Sequence, residues 1–152
     1  MSTKDTQTYT SLVTIDRIAD AMSAHGVTIE PDASGRAAVA NLNGFNVLFV
    51  LLDSVAIIRA DASTETPADS PDPTVYLAAN QVNSTFLDAR ALVVNKADTL
   101  IVRTESETQV AAGMTDEQLQ SALKLSIDSV VQAQDAMRAL VDEMTQAREN
   151  RD

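Results

Sequence analysis

The apolar positions change period along the chain, from helical to alternating and back, and the changes mark its elements. In residues 10–25, Leu12, Ile15, Ala19 and Met22 recur at helical spacing and Ile18 widens the stripe. Gly26 follows as a stop, since glycine closes a helix by taking the left-handed conformation. Residues 27–30 form a short strand candidate, and 31–35 (PDASG) a turn. A strand over 36–42 leads through Asn43-Gly44, a pair suited to a tight hairpin, into a strand over 45–52. There Phe45, Val47, Phe49 and Leu51 face one way, and Leu48, Val50 and Leu52 the other. A strand apolar on both faces is central and needs cover on both sides. A further strand spans 55–61.

Residues 62–74 contain three of the four prolines and three acids without a basic residue, so 62–73 is expected to be a mobile acidic loop. Pro73 suits the start of a helix running to about Phe86. A hairpin over 90–95 and 99–110 turns at residues 96–98, and its second strand alternates poorly after Arg103. That predicts a solvated or curled distal half. Thr115 with Gln118 three residues on is a capping box, and Asp116 and Glu117 suit the positive end of the helix that follows. That helix is expected to reach about Ala147, roughly 45 Å at 1.5 Å per residue. A compact chain of this length is about 38 Å across, so its end should overhang. The fold class is therefore α+β, a mostly antiparallel sheet with elements in the order α-β(3-4)-α-β-β-α. Residues 10–147 form one domain between a disordered amino terminus (1–9) and a frayed carboxyl terminus (148–152).

Composition narrows the function more than it names one. Of 152 residues, 45% are apolar, with three Phe, two Tyr and no Trp, so Leu, Val, Ile, Ala and Met must fill the core. The net charge of −11 opposes binding to nucleic acid or anionic membranes. The absence of Cys removes disulfides, thiolate nucleophiles and Cys-based zinc sites. The amino terminus lacks a secretory layout, and the apolar run 47–52 is far too short to span a bilayer. A cytoplasmic protein is expected.

Candidate chemistry is sparse. His25, the only histidine, stands before the helix-closing Gly26 and reads as a donor at the negative helix end, with no orienting partner or nucleophile assigned to it. Glu105 and Glu107 share a strand face, and Asp61 and Asp69 flank the acidic segment, but no calcium-loop or phosphate-loop pattern accompanies them. They read as solvated charges. No catalytic residue, metal or cofactor is expected. Asn80, Asn83, Arg90 and Arg59 form a candidate polar patch at one end of the sheet, and Asn83 is expected to satisfy backbone groups at the helix–strand junction. In the last helix Leu123, Ser126, Val130, Ala133, Met137, Leu140 and Met144 follow the spacing of a packing seam. Residues 119–131 should pack on the sheet, and Met137, Leu140 and Met144 are candidate dimer contacts.

The segments 45–61 (FNVLFVLLDSVAIIRAD), 77–83 (LAANQVN) with 89–92 (ARAL), and 113–119 (GMTDEQL) resemble the YbjN family, described as bacterial sensory transduction regulators. The resemblance covers about Leu12 to Met144. Its central helix commonly reads Trp-Asn before a basic, aromatic stretch; Asn83 matches that Asn, Val82 replaces the Trp, and residues 84–88 lack the basic character. The resemblance implies a fold like that of type III secretion chaperones, usually dimeric, and carries no catalytic residues. The missing chemical groups, a sheet that needs cover on both faces and the overhanging helix lead to the expectation of a non-enzymatic, homodimeric interaction or regulatory protein of this type, with an unidentified protein partner. The alternatives are a secretion-chaperone-like peptide binder, which needs an exposed groove or sheet edge, and, more remotely, a metal-dependent enzyme. DNA binding is opposed by the charge.

Overall fold

The computed structural model describes residues 10–151; the expected disordered segment 1–9 lies outside them. Helix α1 spans Ile15–Ala24. Strands β1 (Glu30–Pro31), β2 (Ala37–Leu42), β3 (Phe45–Leu51) and β4 (Val55–Pro67) follow, then α2 (Thr74–Thr85), β5 (Arg90–Val94), β6 (Thr99–Gln109) and α3 (Asp116–Glu149). The six strands form one antiparallel sheet in the order β1-β2-β3-β4-β6-β5. Helix α3 lies across its inner face against β4, β5 and β6, and α1 and α2 pack on α3. The predicted α+β class and the order of elements are what is found.

Local chemistry accounts for most boundaries. Helix α1 starts five residues later than expected, because Thr14 is an extended N-cap whose hydroxyl accepts from the Arg17 amide at 3.2 Å. The Arg17 guanidinium takes the carbonyls of Ser11 and Leu12, each at 2.8 Å, and that of Met114 at 2.7 Å. Residues 11–12 are thereby held as an extended segment bridged to Met114, which leaves Leu12 exposed rather than on the helix stripe. Gly113 (φ +78°) permits this approach, since a Cβ there would lie 2.6 Å from the Ser11 carbonyl oxygen. The β2–β3 hairpin turns on Asn43 (φ 52°) and Gly44 (φ +83°), as a tight turn with two positive φ angles requires. The capping box of α3 is complete: the Gln118 amide donates to Thr115 Oγ1 at 3.1 Å, and the Thr115 amide to Gln118 Oε1 at 2.9 Å.

Three expectations are corrected. The segment 62–73 is not a loop throughout: β4 continues to Pro67, paired with Ile101 and Thr99 across an irregularity between Ser63 and Pro67. Pairing to β6 outweighs the local preference of a polar, proline-containing sequence. The distal half of β6 is neither curled nor wholly solvated. Thr104 and Ser106 are buried because their hydroxyls bond to α3, Thr104 to the Val130 carbonyl at 2.9 Å and Ser106 to Ser126 at 3.2 Å. Strand β3 is buried on one face only; Leu48 and Val50 on the other are half-buried, because the helices found here pack on the inner side. Helix α3 ends at Glu149, close to the expected Ala147, and Arg148 pairs with Asp72 at 2.8 Å.

Candidate functional site

Strand register builds the outer face of the sheet. One row across it reads Val39, Leu48, Arg59, Glu105, Arg90, because each is the direct partner of the next on strands β2, β3, β4, β6 and β5. The row beside it reads Asn41, Asn46, Asp61, Arg103, Leu92. Directly opposed opposite charges on neighbouring strands attract, and here they interlock. Arg59 donates to Glu105 Oε1 from Nε at 2.8 Å and approaches it with Nη2 at 2.7 Å, while Arg90 Nη2 donates to Glu105 Oε2 at 2.9 Å. Arg90 reaches on to Glu107 at 3.3 Å. Arg103 grips both oxygens of Asp61, at 2.9 and 3.0 Å.

Glu105 is the centre of this lattice, with its side chain only 4% exposed on a face without a covering helix. The two guanidiniums beside it provide the cover. Burial pushes its carboxyl up, but the hydrogen bonds from Arg90 and Arg59 outweigh that and hold it below the usual glutamate value. The same bond to Glu105 pushes Arg90 up, against the opposing effect of desolvation. Glu105 was expected to be a solvated charge. Its neighbours come from strands 46 positions before and 15 before it in sequence, so the signal that could have found it is weak: Arg59, Asp61, Arg103 and Glu105 all occupy odd, same-face positions of adjacent strands.

Of the predicted patch, Arg59, Arg90 and Asn83 lie near one end of β5. Asn83 works differently from its arginine neighbours. Its Nδ2 donates to the Ala91 carbonyl at 3.0 Å, and its Oδ1 accepts from the Ala91 amide at 2.7 Å. The side-chain amide thus substitutes for a neighbouring strand on the outer edge of β5, satisfying both backbone groups of Ala91. Asn80 does not join the patch: it is exposed one turn earlier on α2, and its carbonyl accepts from Ser84.

Beside this junction opens a cleft of about 560 Å³. One wall is the 86–89 connection with Phe86 and Leu87, the other the end of β6, and Ala122 and Leu125 of α3 line its floor. Leu87 is 98% exposed and Leu125 55%. A second groove, about 650 Å³, runs between α3 and residues 62–72. Met137 lines it but is 1% exposed, held in the chain's own core, and Leu140 and Met144 pack partly against that core. The expected dimer seam on α3 is corrected to this extent. Met137 is buried within this chain, so it is unavailable to a partner.

His25 stands apart from both features; its Nε2 donates to the Gln120 carbonyl at 2.8 Å and ties the end of α1 to α3. Among the described residues, no three of His, Asp or Glu are grouped as metal ligands, and no helix is long and apolar enough to cross a membrane.

These features define an α+β protein with a six-stranded antiparallel sheet, helices packed across one face and an ion-paired lattice on the other. The chain belongs to the YbjN family, described as "Putative bacterial sensory transduction regulator", whose sequence profile matches residues 14–139. Its fold is similar to that in the "Crystal structure of YbjN, a putative transcription regulator from E. coli", with a TM-score of 0.63 and 14% identity over 92% of this chain and 97% of that one. At that identity the likeness is one of fold. No curated protein sequence matches the chain.

Proposed function

We propose that this protein is a non-enzymatic regulatory interaction protein that works as a homodimer joined through the outer face of its sheet. The observation that carries this reading is the composition of that face. Val39 is 51% exposed, Leu48, Val50 and Ile57 lie half-buried around it, and the arginines beside them are already neutralised by carboxylates. Apolar side chains at the centre of a rigid sheet favour association. Charges paired within the face carry much of their desolvation cost before any partner arrives. A two-fold axis through the face lays this apolar quarter on its own copy, the self-complementary arrangement of most soluble dimers.

The same geometry supports the non-enzymatic part of this reading. Arg59, Arg90, Glu105, Arg103 and Asp61 are engaged with one another, and His25 bonds a backbone carbonyl rather than a nucleophile.

Light scattering tests this reading. The wild-type chain should run at twice the monomer mass at micromolar concentration. Leu48→Glu, which sets a charge in the middle of the face, should give a folded monomer. A wild-type monomer, or a dimer untouched by the substitution, overturns the outer-face reading.

A further inference from the structure

We infer that the cleft beside Arg90 is a binding site for an extended peptide, which adds as a strand to the free end of β6. The inference rests on the interaction-protein reading above but not on dimerisation.

The argument begins with hydrogen-bond alternation. The Val110 amide donates to the Ser54 carbonyl at 2.9 Å. Even-numbered residues of β6 therefore direct their backbone groups at β4, and odd-numbered residues direct theirs the other way. The β5 side agrees: Arg90 and Leu92 lie opposite Glu105 and Arg103, while Ala91, out of phase, has its backbone groups taken by Asn83. Strand β5, however, begins opposite Glu105, whereas β6 continues to Gln109. Glu107, which lines the cleft, thus turns an N–H and a C=O away from β4, and Gln109, just beyond the lining residues, turns its own to the same side. Among the described residues no backbone hydrogen bond joins them there.

Residues 40–42 of β2 and 63–67 of β4 also extend past the paired part of their neighbours, and the remaining edges are blunted. Strand β1 is only two residues long and contains Pro31, which blunts that side. The outer edge of β5 carries the Asn83 side chain across Ala91. The end of β6 has neither device, and its Glu107 and Thr108 line the cleft of about 560 Å³.

Only an extended backbone matches two N–H and C=O sets spaced two residues apart on a strand. Side-chain chemistry restricts it further. Residues of the added strand opposite Thr108 point inward, to Leu125 and Ala122, and should be apolar. Those opposite Glu107 and Gln109 point outward. There Glu107 and Asp88 stand exposed, and Arg90, the sole basic lining residue, is committed to Glu105 and Glu107. Those positions favour lysine or arginine. The occupant is a segment alternating apolar and basic residues, antiparallel to β6 and continuing the line of β5.

The probe is acetyl-Val-Lys-Leu-Lys-Val-amide, titrated into the full-length, ¹⁵N-labelled protein and followed by the amide resonances. We expect saturable shifts at Glu107 and Gln109 with a roughly millimolar Kd. N-methylation of both lysine nitrogens, which face β6, should weaken binding about tenfold or more. N-methylation of the leucine nitrogen, which faces away, should change it little. The methylated isomers share charge and side chains, so general attraction to an acidic protein affects them alike. No shifts, or equal effects of the two methylations, overturns the inference. So does broadening of the Glu107 and Gln109 amides with protein concentration alone, which assigns the edge to a second copy. A monomer that binds the probe leaves this site standing and removes the dimer; a dimer that ignores the probe does the reverse.

Discussion

Replacing Glu105 with glutamine keeps the shape of the outer lattice and removes its central charge. Glu105 receives three contacts from guanidinium nitrogens, at 2.7, 2.8 and 2.9 Å, and its side chain is 4% exposed. Hydrogen bonds to charged groups contribute about 1.5–3 kcal/mol each when buried. Arg59 and Arg90 are 29% and 56% exposed, however, so solvent screens part of each contribution and lets the arginines turn outward once the charge is lost. Glutamine also points an NH₂ at one guanidinium. The expected loss is about 2–3 kcal/mol, or roughly 4–12 °C in Tm for a chain of this size. The dependence on pH identifies the cause. Because the folded-state value of Glu105 lies below its ordinary 4.5, its stabilisation is fully present above that value and is lost as pH falls through the folded value. Asp72 behaves likewise. The Thr74 hydroxyl and amide, and then Arg148, hold it at about 2, but it does so in both proteins and cancels from the comparison. Urea unfolding of wild type and Glu105→Gln should therefore show a constant gap near neutrality that closes below about pH 4.5. A gap under about 0.5 kcal/mol, the size of an exposed pair, or one that does not change with pH, refutes the reasoning.

Asn83→Ala removes both bonds to Ala91, and because Asn83 is itself exposed, water replaces part of what is lost. Thermal unfolding should show a loss of about 1–2 kcal/mol; unchanged melting would mean that Ala91 does not need its side-chain partner. Met137→Ala should cost about 2–5 kcal/mol in denaturant unfolding, as a cavity in the core does, with no change of oligomeric state by light scattering. A mild variant that loses only self-association would restore Met137 as a contact between copies.

Much of the fold was legible because it rests on local rules. Thr115 and Gln118 cap α3 through contacts three residues apart, Asn43-Gly44 turns its hairpin through its own φ angles, and the seam from Leu123 to Val130 follows from helical period alone. Asn83 was singled out as a junction residue, and its partner proved to be the strand edge at Ala91. The candidate site was less legible. Glu105 and Glu107 looked solvated in a stretch of Thr, Ser and Gln, since nothing within a few residues of Glu105 suggests that two arginines from other strands flank it.

The amino-acid sequence by itself determined the element order, the capping box of α3, the hairpin turn and, from Ile15 onward, which face of α1 is buried, because each depends on residues within a turn or two of one another. Tertiary structure alone decided how far β4 runs, where β6 is left without a neighbour, and how Arg59, Glu105 and Arg90 meet in one row. Those outcomes depend on the register of three strands, and register is set by the summed pairing and packing of the whole sheet. That sum carried β4 through a polar segment to Pro67, buried Thr104 and Ser106 against α3, and placed a carboxylate between two guanidiniums.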